Sequence, residues 1–220
     1  MKSIVKRLAA TVPANLYQRL LAYSVLNEEF SELKACRTFP TRESLWDHCI
    51  DDVVGGDRDI TYIEFGVHQG YSIGRFAQRN QGKASRFIGL DSFEGLPEQW
   101  GHMELGHFST EGRIPSVPDH RVSFIKGWFQ NTYDELHAQI ADRDNFVIHY
   151  DADVYSSTLF VLTKIDGLRR DYVAIFDEFT GHETRALYNY IQAYNAKVTF
   201  LAKTLVDGYP MQVLCRIKPT

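Results

Sequence analysis

The chain has 220 residues, of which 44% are hydrophobic and 24% are charged, and its formal net charge at pH 7 is −4. This composition excludes a disordered or collagen-like chain, and the mild acidic excess lacks the basic footprint of a nucleic-acid binder. There is no run of about 18 apolar residues that could span a membrane, and three cysteines without CxxC spacing predict a reduced, cytoplasmic protein without a disulfide framework.

The first 55 residues predict a helical N-terminal extension. Apolar residues recur at helical spacing between about residues 14 and 35, and Thr41 is placed as the N-cap of a second helix that Gly55 and Gly56 end. An apolar stripe of this length on a small chain favours a packing or association surface. We therefore expect residues 1–55 to cover one side of a functional site or to join two copies of the chain in a homo-oligomer.

From residue 56 to the C-terminus, short apolar runs alternate with helical patterns, which indicates a parallel sheet with helices on both faces. The link over residues 203–211 is too short for a helical crossover, so the last two strands are predicted to form an antiparallel hairpin. The predicted fold is α/β, a doubly wound, mostly parallel seven-stranded sheet with one antiparallel strand, in one domain over residues 56–220. The predicted strands cover residues 60–65, 87–90, 122–125, 146–150, 172–176, 198–201 and 213–217, and the predicted helices cover residues 71–79, 132–141, 156–168 and 183–193.

Two local features refine this pattern. Thr132 and Glu135 have the spacing of a capping box at the start of a helix. Residues 92–120, which we call the 92–120 loop, are rich in glycine and proline and carry His102, His107 and His120. A connection of this length without regular structure predicts a lid or a binding loop.

Glycine and acidic residues follow the first two predicted strands, at the edge of the sheet where ligands bind in folds of this class. Gly66 and Gly70 follow the first strand, and their four-residue spacing differs from the GxGxxG turn of dinucleotide-binding proteins. Asp91 ends the second strand, where a carboxylate can accept hydrogen bonds from two ribose hydroxyls. The competing interpretation is a glycine turn with an acidic cap.

Four carboxylates, Asp151, Asp153, Asp177 and Glu178, follow the fourth and fifth predicted strands and would meet at one rim of the sheet. Carboxylates held together repel one another unless they share a proton or a cation. Oxygen ligands suit Mg²⁺ or a similar hard ion better than zinc, so an ion of this kind is predicted. The competing interpretation is that these residues cap the helices that follow them.

Four segments, in this order along the chain, resemble motifs of a known family. The segment from Glu64 to Ser72 resembles motif I of class I S-adenosylmethionine-dependent methyltransferases. The segment from Asp91 to Pro97, DSFEGLP, resembles the signature of the macrocin O-methyltransferase family. The two remaining segments, GWFQNT from Gly127 and DADVYSST from Asp151, are similar to later motifs of that family.

The resemblance implies S-adenosylmethionine as cofactor and a hydroxyl of a sugar, glycoconjugate or other natural product as methyl acceptor. It implies that Asp91 binds the ribose and that Asp153 is the general base. The metal ligands that it implies are Asp151, Asp177 and Glu178, of which Glu178 stands where the family usually has Asp. The cofactor-binding residues that it implies are Glu64, Gly66, Gly70, Ser72, Asp91, Ser92, Gly127, Trp128 and Asp151.

The histidines near the strand ends and two competing functions also bear on this interpretation. His182 lies at the same rim and is a second candidate for the base, whereas His149 alternates with apolar residues and is interpreted as a strand histidine whose hydrogen bonds are satisfied. A nicotinamide-dependent oxidoreductase would need the GxGxxG turn that the chain lacks. A non-catalytic cofactor-binding interaction module would leave the acidic rim without a use.

Overall fold

The computed structural model describes residues 11–220, in which eight strands form one sheet. The strands are β1 (Arg37–Phe39), β2 (Thr61–Phe65), β3 (Arg86–Asp91), β4 (Val122–Lys126), β5 (Phe146–Tyr150), β6 (Tyr172–Phe176), β7 (Lys197–Val206) and β8 (Tyr209–Lys218). The α-helices are α1 (Ala14–Glu28), α2 (Arg42–His48), α3 (Tyr71–Arg79), α4 (Phe129–Ile140), α5 (Tyr155–Asp166) and α6 (His182–Tyr194). A 3₁₀ helix covers Ser31–Ala35, and a π-helix covers Cys49–Gly55.

The strand order is β1-β7-β8-β6-β5-β2-β3-β4. Every neighbouring pair is parallel except those of β8, which runs antiparallel to both β6 and β7. The doubly wound, mostly parallel sheet with one antiparallel strand is therefore confirmed. Because the chain leaves β2 towards β3 on one side and returns to β5 on the other, a crevice opens at the carboxyl ends of β2 and β5.

The sheet has one more strand than the seven predicted, because β1 lies within the predicted helical extension and pairs in parallel with β7. This strand has three residues and only Phe39 is buried, so its sequence carries no alternating pattern. Pairing with β7, rather than local sequence, makes it a strand. The division of the chain at residue 55 stays a prediction.

The helix starts show where local patterns succeed and fail. Thr41 caps α2 as predicted, since its hydroxyl accepts a hydrogen bond from the Ser44 amide at 3.2 Å and the Ser44 hydroxyl accepts one from the Thr41 amide at 3.2 Å. The prediction of a capping box at Thr132 is wrong. Helix α4 begins earlier, at Phe129, and the Thr132 hydroxyl donates to the Trp128 carbonyl within its first turn.

Both faces of the sheet carry a buried apolar core, and the N-terminal segments contribute to each. Residues of α1 and of the following turn, such as Val25 and Phe30, pack on one face with α4, α5 and α6. Trp46 and Ile50 pack on the other face with α3. The ammonium group of Lys203 on β7 is buried and donates to the carbonyls of Leu33, Lys34 and Cys36, which ties the 3₁₀ helix to the sheet. None of the helices in residues 11–220 is long and apolar enough to cross a membrane.

Candidate active site

A cavity of about 570 Å³ opens at the carboxyl ends of the central strands. This volume lies within the range of sites that bind small molecules. Nine of the predicted site residues line it: Gly66, Asp91, Ser92, Gly127, Trp128, Asp151, Asp153, Asp177 and Glu178. The other four, Glu64, Gly70, Ser72 and His182, lie outside its wall.

The turn between β2 and α3 is shaped by two glycines with positive φ angles, +94° at Gly66 and +75° at Gly70. A Cβ atom on Gly66 would lie 1.8 Å from the carbonyl oxygen of Asp151, so a residue with a side chain cannot occupy this position without movement of the backbone. Gly70 is the N-cap of α3. Glycine at these two positions therefore allows the turn to pack closely against the Asp151 backbone and to lead directly into α3.

Asp91 organises this turn from the end of β3. One carboxylate oxygen accepts hydrogen bonds from the amides of Val67 and His68, both at 2.8 Å, and the other accepts from the amide of Phe93 at 2.7 Å. An ionised carboxylate offers about four lone-pair positions. Three are used within the protein, which leaves one direction for a hydroxyl in the cavity.

Glu64 lies behind the turn and is fully buried. Its carboxylate accepts hydrogen bonds from the Ser72 hydroxyl at 2.5 Å and from the Tyr62 hydroxyl at 2.7 Å. The Tyr62 hydroxyl also lies 2.9 Å from Nδ1 of His149. Burial raises the pKa of Glu64 above its ordinary value, although the hydrogen bonds from Ser72 and Tyr62 act to lower it. These contacts join α3 to the strand that carries the acidic rim.

The acidic rim consists of Asp151, Asp153, Asp177 and Glu178, all of which line the cavity. Burial, and then the charges of Glu178 and Asp177, raise the pKa of Asp153 to about 7. Burial, and then the charge of Asp177, raise the pKa of Glu178 to about 7. The pKa of Asp151 is raised well above its ordinary value by burial and by Asp177. The rim is thus suited to hold a proton or a cation near neutral pH.

One group of side chains at this rim has the spacing of metal ligands. Among residues 11–220, potential ligand atoms of His149, Asp151 and Asp177 all lie within 4.8 Å of one another. Glu178 lies in the same cavity but outside this group. His149 is fully buried, but the prediction that its hydrogen bonds are satisfied is wrong, because its Nε2 atom lies 3.5 Å from Oδ1 of Asp177 and makes no hydrogen bond. Two carboxylates and an unpartnered nitrogen fit a divalent cation.

His182 is placed differently from the other candidates. It is the first residue of α6, and its Nδ1 accepts a hydrogen bond from the Tyr155 amide at 3.0 Å at the start of α5. Burial, and then the charge of Arg185, lower its pKa. This arrangement favours Asp153 over His182 as the base, because Asp153 alone of the two faces the cavity.

Sequence reasoning missed three residues of the site. Gln212 on β8 is buried and donates a hydrogen bond from Nε2 to Oδ1 of Asp177. Glu183 is fully buried and accepts a hydrogen bond from the Glu178 amide at 2.9 Å, and burial raises its pKa well above the ordinary value. Arg42 on α2 is the only lysine or arginine in the cavity wall among the described residues. Of these three, only Glu183 could have been suspected from the sequence, because it directly follows the candidate base His182. Gln212 and Arg42 reach the site from distant parts of the chain.

The 92–120 loop contributes Ser92, Leu96 and Phe108 to the cavity wall. It is internally hydrogen-bonded, for example between the Leu96 amide and the His107 carbonyl at 2.9 Å. It carries the exposed apolar side chains of Leu105, Phe108 and Ile114. The loop therefore forms one wall of the cavity, as a binding loop does.

Comparison with known proteins gives the fold a context. The O-methyltransferase NovP superposes with a TM-score of 0.58 at 19% identity over 79% of this chain and 78% of its own. The calicheamicin methyltransferase CalS11 gives 0.56 at 18% identity over 93% of both chains. The O-methyltransferase from Bacillus cereus, solved in complex with S-adenosylhomocysteine (SAH), superposes with a TM-score of 0.55 at 15% identity over 98% of this chain and 97% of its own.

These likenesses show that the chain has the Rossmann-like fold of methyltransferases. No family model matches the chain, and no curated protein sequence matches it. The resemblance to the macrocin O-methyltransferase family therefore stays a prediction.

Proposed function

We propose that the protein is an S-adenosylmethionine-dependent O-methyltransferase that acts on a hydroxyl of a sugar, glycoconjugate or other natural product. One observation carries the proposal: the glycine turn and Asp91, which suit the cofactor, share a cavity with Asp153, which suits the acceptor. The fold supports it, since NovP and CalS11 are methyltransferases, and CalS11 is a TDP-rhamnose 3′-O-methyltransferase. The oxidoreductase alternative is not favoured, because the turn lacks the GxGxxG spacing.

The cofactor has a natural placement in this cavity. Asp91 would bind the ribose, and Ser92, Gly127 and Trp128 would lie along the adenine. The amino-acid end would lie over the turn at Gly66. Arg42 is the only lysine or arginine in the cavity wall among the described residues, so it is the residue that would pair with the cofactor carboxylate.

The cofactor supplies an electrophilic methyl group on a sulfonium. The protein's part is to remove a proton from the acceptor hydroxyl and to align the acceptor oxygen with the methyl carbon. Asp153 would take that proton, and a base whose pKa is about 7 is well matched to neutral pH. The 92–120 loop would hold the acceptor and exclude water. A divalent cation at the acidic rim would supply positive charge beside the acceptor oxygen.

The activity can be tested with S-adenosylmethionine carrying a ¹³C methyl group and a panel of nucleotide sugars and glycosides. We expect a new O-methyl carbon signal on one acceptor class, together with one equivalent of SAH. A non-catalytic interaction module would bind the donor but release no SAH with any acceptor.

Asp91→Ala should weaken SAH binding by about 1.5–3 kcal/mol, the range for a hydrogen bond to a charged group. The reason is the loss of the carboxylate that faces the ribose and orders the amides of Val67 and His68. Calorimetric titration measures the change, and Asp142→Ala, at an exposed position after α4, is the matched control. Equal affinities of Asp91→Ala and the wild type would remove Asp91 from the cofactor site.

Three broader expectations also stay predictions: a divalent cation at the acidic rim, a cytoplasmic location and a homo-oligomer formed through the N-terminal helices. The last is supported by Tyr17 and Leu20 on α1, whose side chains are 54% and 55% exposed.

A further inference from the structure

We propose that the imidazole of His149 is a direct ligand of a divalent cation held with Asp151 and Asp177, and that this site prefers a first-row transition ion such as Mn²⁺ to Mg²⁺. The proposal deepens the proposed function by identifying the cation and its third ligand. It does not depend on methyl transfer, because it concerns only how these three side chains bind a metal.

The tautomer of His149 determines which ring nitrogen has a lone pair for a metal ion. The Tyr62 hydroxyl has a single hydrogen, which it donates to Oε2 of Glu64 at 2.7 Å. With that hydrogen donated to Glu64, the hydroxyl oxygen is free to accept a hydrogen bond from Nδ1 of His149, 2.9 Å away. In that tautomer Nδ1 carries the hydrogen, and a neutral imidazole has its lone pair on Nε2.

The Nε2 atom of His149 faces a carboxylate and has no hydrogen-bond partner. Nε2 of His149 is buried, makes no hydrogen bond, and lies 3.5 Å from Oδ1 of Asp177. A lone pair that faces a carboxylate oxygen in a buried position is unfavourable, and buried polar atoms without a partner are rare. A cation bound by both atoms removes this cost.

Hydrogen bonds from neighbouring side chains fix the orientation of the proposed ligands. Histidine ligands of metals usually donate their other ring N–H to a group that fixes the ring, and here Tyr62 and Glu64 fill that role for His149. Gln212 fixes Asp177 in the same way, through the hydrogen bond from its Nε2. The ligand atoms of His149, Asp151 and Asp177 lie within 4.8 Å of one another, so small side-chain movements would bring all three to one ion.

The ligand atoms determine which metal ion the site prefers. Mg²⁺ takes oxygen ligands almost exclusively and keeps several waters. Imidazole nitrogen suits the first-row transition ions, and affinity rises along that series from Mn²⁺. One nitrogen with two carboxylates therefore predicts a transition ion, and replaces the oxygen-only ligand set that the sequence suggested.

The test uses the full chain stripped of metal, without methyl donor or acceptor, so that failure of the proposed activity cannot affect it. Mn²⁺ and Mg²⁺ are titrated separately, and the bound Mn²⁺ is examined by electron spin-echo spectroscopy for coupling to ¹⁴N. We expect tighter binding of Mn²⁺ than of Mg²⁺, with ¹⁴N coupling in the wild type. His149→Gln should abolish the coupling, and His137→Gln, at an exposed position on α4, should keep it.

A second variant keeps the proposal testable if His149→Gln does not fold. Tyr62→Phe retains the imidazole but removes its hydrogen-bond acceptor, and should lower the affinity for Mn²⁺ about 10–100-fold while the ¹⁴N coupling persists. Bound Mn²⁺ without ¹⁴N coupling in the wild type, or no Mn²⁺ binding at all, would overturn the ligand assignment. Mg²⁺ binding as tight as that of Mn²⁺ would overturn the metal preference.

Discussion

Asp153→Asn should lower kcat by about 10²–10⁴-fold, the usual contribution of a general base, while SAH affinity stays at the wild-type value. Asparagine has nearly the shape of aspartate but cannot accept the acceptor's proton. Asp153 faces the cavity, and its raised pKa of about 7 results from burial and from the neighbouring carboxylates. The measurement pairs steady-state turnover with calorimetric titration of SAH.

Glu178→Gln is the matched control, because Glu178 lines the same cavity and its pKa is also raised to about 7. We expect this variant to lose much less activity than Asp153→Asn. Full activity in Asp153→Asn, or an equal loss in both variants, would mean that Asp153 is not the base.

Gly66→Ala should lower the free energy of unfolding by about 3–5 kcal/mol, as expected for a steric clash at a strained backbone position. The new Cβ would lie 1.8 Å from the Asp151 carbonyl oxygen, and the φ angle of +94° disfavours alanine. The turn would have to move away from β5, so SAH binding should be lost as well. Chemical denaturation and calorimetry measure the two effects.

Gly74→Ala, in the middle of α3, is the control for this change. Its Cβ would meet only Val117, at 3.9 Å, and alanine favours helix, so we expect unchanged or slightly higher stability. Wild-type stability and SAH affinity in Gly66→Ala would contradict the close approach of the turn to Asp151.

The parts of the fold that depend on local patterns could be predicted from the sequence. Strands β2, β5 and β6 are fully buried and mostly apolar, and the acids that follow β5 and β6 line the cavity at this edge of the sheet. Thr41 was predicted correctly as a cap because it bonds to a residue three positions away. The failed capping box at Thr132 shows the limit of such patterns, since α4 begins one turn earlier.

The parts that depend on contacts between distant residues could not be predicted. Gln212 reaches Asp177 from a strand that is 35 positions away in the sequence, and Arg42 reaches the cavity from α2. The orientation of His149 also depends on tertiary contact, because Tyr62 and Glu64 on the neighbouring strand determine which ring nitrogen faces the rim. Alternation along β5 alone predicted a histidine with satisfied hydrogen bonds, which the unpartnered Nε2 atom contradicts.

The central claim, that this cavity binds S-adenosylmethionine, is tested most directly by calorimetric titration of the purified chain with SAH and, in parallel, with NAD⁺. We expect saturable binding of one SAH per chain and no heat from NAD⁺, because Asp91 and the Gly66–Gly70 turn suit a single nucleoside and lack the GxGxxG spacing. Binding of NAD⁺ without binding of SAH would contradict the assignment.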